Sequence, residues 1–236
     1  MTWRQQGSLW CHQPGQVRGL VQFIGGSYLA ATPQLSYRRL LESLARQGLA
    51  IQAWSYVPGF DHQAQANEAW KLFRAARPSS GTPLLRLGHS LGCKLHLLAP
   101  DNGRGSDGLV ALSFNNFSAE RSVPLLAELG PRLGIQSEFS PSPSETLRLV
   151  GANYGQPRNL LVRFNRDGID QSRRLLEVLH QRPGDQSELL EQSGDHLTPA
   201  SAGLRQNLLG SWADDPARQR QIDSLAETIC RWWLQS

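Results

Sequence analysis

The feature that most restricts this chain is the pentapeptide Gly88-His89-Ser90-Leu91-Gly92. An apolar segment, Leu84-Leu85-Arg86-Leu87, runs directly into it, and an amphipathic stretch, residues 93–98, runs directly out. The pattern G-x-S-x-G is common by itself; the strand before it and the helix after it make it specific. In that setting the turn forces the serine into strained backbone geometry at the carboxyl end of a strand. Glycines two residues to either side let strand and helix approach closely. The start of the following helix also favours negative charge developing on a reacting group. A serine alone is a weak nucleophile, so the rest of the chain must supply a base and a group to orient that base.

Elsewhere, short apolar runs alternate with longer amphipathic stretches. The runs predict strands over 20–24, 49–55, 84–87, 109–114, 159–164 and 188–192. Helices are expected over 36–46, 63–76, 93–98, 170–180 and 216–233. In the first of these, Tyr37, Leu40, Leu41 and Leu44 recur at helical spacing, and Gly48 follows as a stop. Strand–helix alternation of this kind implies an α/β class: a mostly parallel sheet with helices on both faces and right-handed crossovers. Residues 1–236 then form a single domain. The segments around Trp3 and Ser8 suit an antiparallel edge hairpin. The rhythm breaks between residues 118 and 157, a stretch containing Pro124, Pro131 and Ser140-Pro141-Ser142-Pro143-Ser144. It is longer than one crossover needs and is read as a small lid insertion over the carboxyl edge of the sheet.

The base and acid are sought beyond the serine, in the order acid, then histidine. His196, in the loop Ser193-Gly194-Asp195-His196-Leu197-Thr198-Pro199, is the candidate base. His180 ends a predicted helix and His96 lies inside the helix after the serine, so both compete weakly. His62 and His89 fall in loops near the expected site and are candidates for substrate binding. After the strand 159–164, Asn165-Arg166-Asp167-Gly168-Ile169-Asp170 offers two carboxylates. Asp167, in the turn directly after the strand, is favoured as the triad acid; Asp170 is the alternative and also suits a helix cap. The turn after Phe114 carries Asn115 and Asn116 instead of a carboxylate, and these are placed at the substrate-binding rim. An oxyanion hole needs two backbone donors aimed at one point. Leu91 supplies one, and the turn Gly25-Gly26-Ser27 supplies the other from Gly26 or Ser27.

Composition narrows the function classes. Net charge is +4 and the isoelectric point is about 9.3. The basic residues are nearly all arginine and are scattered, with Lys71 and Lys94 the only lysines. No cluster or module for nucleic acid is visible. Cys11, Cys93 and Cys230 form neither a metal spacing nor a disulfide framework. No apolar run is long enough to span a bilayer, and the first residues lack the apolar core of a signal peptide. A cytoplasmic location is therefore expected, with no cofactor and no metal. The oligomeric state is left open by the sequence. The Trp232-Trp233 pair suits packing within the domain or a subunit contact.

Taken together, these residues resemble the α/β-hydrolase superfamily. More narrowly, the chain resembles an uncharacterised α/β-hydrolase-like family of cyanobacteria and plastids. The likeness rests on Phe23-Ile24-Gly25-Gly26-Ser27-Tyr28, Phe60-Asp61-His62, the block from Gly88 to Leu98, Ser113-Phe114-Asn115-Asn116-Phe117 and Gly194-Asp195-His196-Leu197-Thr198-Pro199. It implies the α/β-hydrolase fold and the roles of Ser90 and His196, and it implies no particular substrate. Dehalogenases and epoxide hydrolases of this fold use an aspartate where Ser90 stands. The expected activity is hydrolysis of a small-molecule ester or thioester through a Ser90–His196–Asp167 triad. The alternative is a non-catalytic binding or scaffold protein that keeps the fold.

Overall fold

The computed structural model describes residues 2–78, 81–118, 138–200 and 216–234. Two short strands, β1 (Arg4–Gln6) and β2 (Leu9–His12), open the chain. They are followed by β3 (Gly19–Ile24), a single 3-10 turn, α1 (Pro33–Ser36), α2 (Arg38–Arg46), β4 (Leu49–Trp54) and α3 (His62–Ala75). The central segment is β5 (Leu84–His89), α4 (Leu91–Leu97) and β6 (Gly108–Leu112). The chain then continues through α5 (Pro143–Asn153), β7 (Asn159–Phe164), α6 (Ser172–His180), β8 (Glu188–Gln192) and α7 (Pro216–Leu234). The strands form one sheet in the order β1-β2-β4-β3-β5-β6-β7-β8. The pairs from β4 through β8 are parallel, and the β1–β2 hairpin joins antiparallel at the β4 edge.

The sequence pattern explains the layers. Successive strand residues point to opposite faces. Val110 and Leu112 face one cluster with Leu40, Leu41 and Leu44 of α2 and Ile222, Leu225 and Ile229 of α7. Leu109, Ala111 and Leu161 face the other, with Val150 of α5 and Leu175 and Leu179 of α6. The central strands are therefore buried on both sides, which is why they read as continuous apolar runs. Trp233 is buried in the first cluster and Trp232 packs against it; the Arg158 guanidinium stacks over the Trp232 ring, 5.1 Å from its centre. The tryptophan pair thus serves packing within the domain.

Three local boundaries differ from the sequence reading. The expected helix over 36–46 is divided at Tyr37, whose φ of −122° interrupts it between α1 and α2. The strand expected over 109–114 ends at Leu112, because Ser113 adopts φ +49° and turns the chain. His62, expected in a loop, is the first residue of α3, where the Asp61 carboxylate accepts the Ala64 N–H at 2.8 Å. Within the stretch assigned to a lid, residues 119–137 lie outside the described residues. Its later part forms α5, which buries Leu147 and Val150 against the sheet. No described helix is long and apolar enough to cross a membrane.

Topology fixes where a site can form. The chain passes from β3 to β4 on one side and then to β5 on the other side of β3. The loops leaving β3 and β5 diverge there and open a crevice at the carboxyl ends of the strands. Gly26 and Ser27 follow β3; Ser90 follows β5.

Candidate active site

Ser90 occupies the junction between β5 and α4 with φ +53° and ψ −120°. A non-glycine residue there is strained by about 1–3 kcal/mol. Two contacts hold it. The Ser90 N–H donates to the Leu112 carbonyl on the neighbouring strand at 2.9 Å. On the helix side, a Cβ added to Gly92 would lie 2.0 Å from the Ile24 carbonyl oxygen. Only glycine lets α4 start this close to β3, which accounts for the second glycine of the motif.

His196 and Asp167 meet although 29 residues separate them: His196 Nδ1 donates to Asp167 Oδ2 at 2.8 Å. The other Asp167 oxygen accepts the Ile169 N–H at 3.0 Å. Burial raises the Asp167 pKa, but the His196 hydrogen bond and charge and the Ile169 N–H outweigh it and leave the carboxyl below its ordinary value. With Nδ1 engaged, Nε2 is the ring nitrogen left for a partner in the site. Asp170 does not reach His196. Its oxygens accept from the Ser172 N–H at 3.0 Å and the Ser172 hydroxyl at 2.8 Å, at the start of α6. Asp195 is likewise turned into its own loop, accepting the Leu197 N–H at 3.0 Å.

Two sequence expectations are corrected here. Gly26 cannot supply an oxyanion donor, because its N–H donates to Tyr37 Oη at 2.8 Å. The loop nevertheless runs past the serine, since a side chain on Gly26 would come within 3.1 Å of the Ser90 Cβ. Ser27, the next residue, lines the cavity with Leu91. His89 cannot bind substrate through its ring nitrogens, because both are committed. His89 Nε2 donates to the His196 carbonyl at 2.8 Å, and Nδ1 accepts from the Tyr37 hydroxyl at 2.8 Å. Burial and the neighbouring His196 push the His89 pKa down to about 3, consistent with a neutral ring serving one donor and one acceptor.

Ser90, His196, Ser27 and Leu91 share one cavity of about 760 Å³. Phe60, Phe117, Phe139, Ile169 and Leu197 make its wall largely apolar. His62, Asn115 and Asn116 also line it. Asn115 Oδ1 accepts the Phe117 N–H at 3.2 Å, and Asn116 Nδ2 donates to the Pro143 carbonyl at 2.8 Å. Through these bonds the two asparagines are tied to the loops they order. Sequence reasoning passed over Tyr37, which links the β3 loop to His89, and Lys94, which lines the cavity. A lysine on the buried side of α4 was the available signal for the second.

Solved structures of similar fold cover nearly the whole chain. The monoacylglycerol lipase of Paleococcus ferrophilus is 16% identical with a TM-score of 0.61, over 95% of this chain and 99% of that one. The thioesterase domain from the curacin biosynthetic pathway is 13% identical with a TM-score of 0.59, over 96% and 98%. A Pyrococcus furiosus esterase is 14% identical with a TM-score of 0.62, over 95% and 85%. No curated protein sequence matches the chain. The family described as "Protein of unknown function (DUF1350)" matches residues 2–225. With this sheet order, elbow and match, the chain belongs to the DUF1350 family and has the α/β-hydrolase fold.

Proposed function

We propose that this protein is a serine hydrolase of small-molecule esters or thioesters. The observation that carries the reading is the 2.8 Å His196–Asp167 hydrogen bond, formed beside the cavity that strained Ser90 also lines. In this reaction Ser90 Oγ attacks the substrate carbonyl while His196 Nε2 takes its proton. Asp167 holds the imidazole in the tautomer with Nδ1 protonated and stabilises the imidazolium that forms. The tetrahedral oxyanion is met by the N–H groups of Leu91 and Ser27, and each such donor is worth roughly 10²–10³ in rate. His196 then returns the proton to the departing alkoxide or thiolate, which leaves as alcohol or thiol. Water, deprotonated by the same nitrogen, attacks the acyl-Ser90 ester, and the acid is released with Ser90 regenerated. The mostly apolar wall suits the hydrocarbon part of an acyl compound. A lipase, an esterase and a thioesterase domain share the fold, and that spread supports the ester and thioester class.

Labelling with a fluorophosphonate probe tests the proposal. The wild type is expected to label, while the Ser90→Ala and His196→Ala variants, folded by circular dichroism, are not. Undiminished labelling of Ser90→Ala would remove the serine from the reaction. A folded wild type that neither labels nor cleaves esters would favour a binding protein on the same scaffold.

A further inference from the structure

The Ser90 chemistry leaves one part of the cavity unused. Lys94 follows Ser90 by four residues, one turn along α4 and about 6 Å along its axis. It lines the cavity yet is only 1% exposed. Among the described residues its ammonium has one hydrogen-bond acceptor, the Pro141 carbonyl at 3.0 Å, and it sits 5.8 Å from the centre of the Phe139 ring. No described carboxylate forms an ion pair with it. Glu138 is the nearby negative charge, but its Oε1 accepts the Phe139 N–H at 2.7 Å and the residue is exposed. Among the described residues, two ammonium donors are therefore uncommitted in a largely apolar wall.

His62 stands beside it. Its ring lies 4.2 Å from that of Phe139, and it is 2% exposed. Its Nδ1 has no hydrogen-bond partner among the described residues. A buried cation with one neutral acceptor and a buried imidazole nitrogen with none are costly in a core. Both groups line the same cavity, where a ligand could supply the missing partner. The segment that carries Phe139 is held firmly, because Ser140 exchanges backbone hydrogen bonds with Phe60 at 2.9 Å and Gln63 at 3.0 Å. The donors are thus fixed in place.

We propose that Lys94 and His62 form a carboxylate-binding subsite of the Ser90 cavity, so that the preferred substrate carries a second, free carboxylate on its acyl chain. This rests on the hydrolase reading for turnover, but binding at the subsite does not require it. A monocarboxylate matches the donors: two from the ammonium and one from His62 Nδ1–H. A phosphate would call for more donors, and no described arginine lines the cavity. The acyl chain lies along the apolar wall between the two ends.

The test compares mono-4-nitrophenyl adipate with 4-nitrophenyl hexanoate, esters of equal chain length that differ in the terminal group. A charge-assisted contact predicts a kcat/KM preference of about tenfold or more for the adipate ester in the wild type. Within Lys94→Met the same ratio should fall to about one. Independently of turnover, Ser90→Ala should bind monomethyl adipate by calorimetry, and the Ser90→Ala/Lys94→Met double variant should not. Equal rates for the two esters, with no binding to Ser90→Ala, would overturn the subsite while leaving the hydrolase reading intact. Absence of all turnover, with adipate still bound through Lys94, would overturn the hydrolase reading and keep the subsite. Preference for the 4-nitrophenyl ester of 5-phosphooxypentanoic acid over the adipate ester would overturn the assignment to a carboxylate.

Discussion

His89 Nε2 donates to the backbone carbonyl of His196 across 2.8 Å. The residue preceding Ser90 therefore holds the loop that carries the candidate base. Through Tyr37 the same ring reaches the Gly26 N–H, so three loops leaving the sheet are tied by one chain of hydrogen bonds. Replacing His89 by Leu leaves the Tyr37 hydroxyl and the His196 carbonyl without this partner. A loss of about 2 kcal/mol in denaturant unfolding is expected. Labelling by a fluorophosphonate should also slow at least about tenfold, one tenfold step corresponding to about 1.4 kcal/mol. Normal stability and normal labelling would show that the relay is idle.

The two neighbouring carboxylates should separate cleanly. Asp167→Asn keeps the shape but removes the acceptor that selects the His196 tautomer, and should lower labelling and ester turnover by roughly 10³–10⁴. Asp170→Asn alters only the hydrogen bonds to Ser172 and should cost about 1 kcal/mol of stability with turnover largely kept. Reversed outcomes would move the acid to Asp170.

Gly92→Ala probes the elbow itself. A methyl group 2.0 Å from the Ile24 carbonyl oxygen has to push α4 off β3. Loss of about 3 kcal/mol is expected, read as a lowered unfolding midpoint. Wild-type stability in this variant would contradict the close approach.

Lys94 links stability to pH. Burial holds its pKa down to about 8, from 10.5 in a free side chain, with the Glu138 charge opposing the shift. His62, packed on the same Phe139 ring, is pushed down to about 3 by burial and by Lys94, so it stays neutral across this range. Between pH 8 and 10.5 the unfolded chain holds the Lys94 proton and the folded chain does not. Stability from this group therefore rises with pH through that window and is lost as pH falls through about 8. At pH 7 the buried charge costs about 3 kcal/mol at most. Lys94→Met should raise the unfolding free energy at pH 7 by about 1–3 kcal/mol and flatten its rise above pH 8. A destabilised Met variant would point to a structural lysine.

Arg86 and Asp101 supply a stability control remote from the reaction. The guanidinium is 5% exposed and meets both carboxylate oxygens, at 2.9 and 2.6 Å. Asp101→Ala leaves that cation buried and unpaired, and about 3 kcal/mol should be lost in chemical unfolding. Burial opposes ionisation of Asp101, but the Arg86 contacts prevail and hold its pKa below 3.8. Its stabilising share is present above that value and disappears as the folded-state carboxyl is protonated on acidification.

Much of this arrangement is legible in the residues alone, for a physical reason. Strands buried on both faces must be apolar throughout, and helices on their flanks must repeat every three to four residues, so Leu109–Leu112 and Leu40–Leu44 disclose their environments locally. Gly88-His89-Ser90-Leu91-Gly92 likewise announces its turn, because the elbow is made by residues adjacent in sequence. His196 and Asp167 were both readable as candidates from the strand before one and the loop around the other.

What sequence could not decide is what depends on contact between distant segments. Asp167 and Asp170 differ by three positions in one turn, and only the folded loop brings one of them to His196. Gly26 is an apt donor until Tyr37, eleven residues on, takes its N–H. His89 resembles a binding residue until its nitrogens meet Tyr37 and the His196 carbonyl. Lys94 is an ordinary lysine in a helix until His62 of α3, Phe139 and Pro141 come up beside it. Local chemistry thus determined the sheet, the helices and the serine at the elbow. Tertiary structure decided which polar groups are already paired and which remain to act, because hydrogen bonds are allotted only when remote parts of the chain meet.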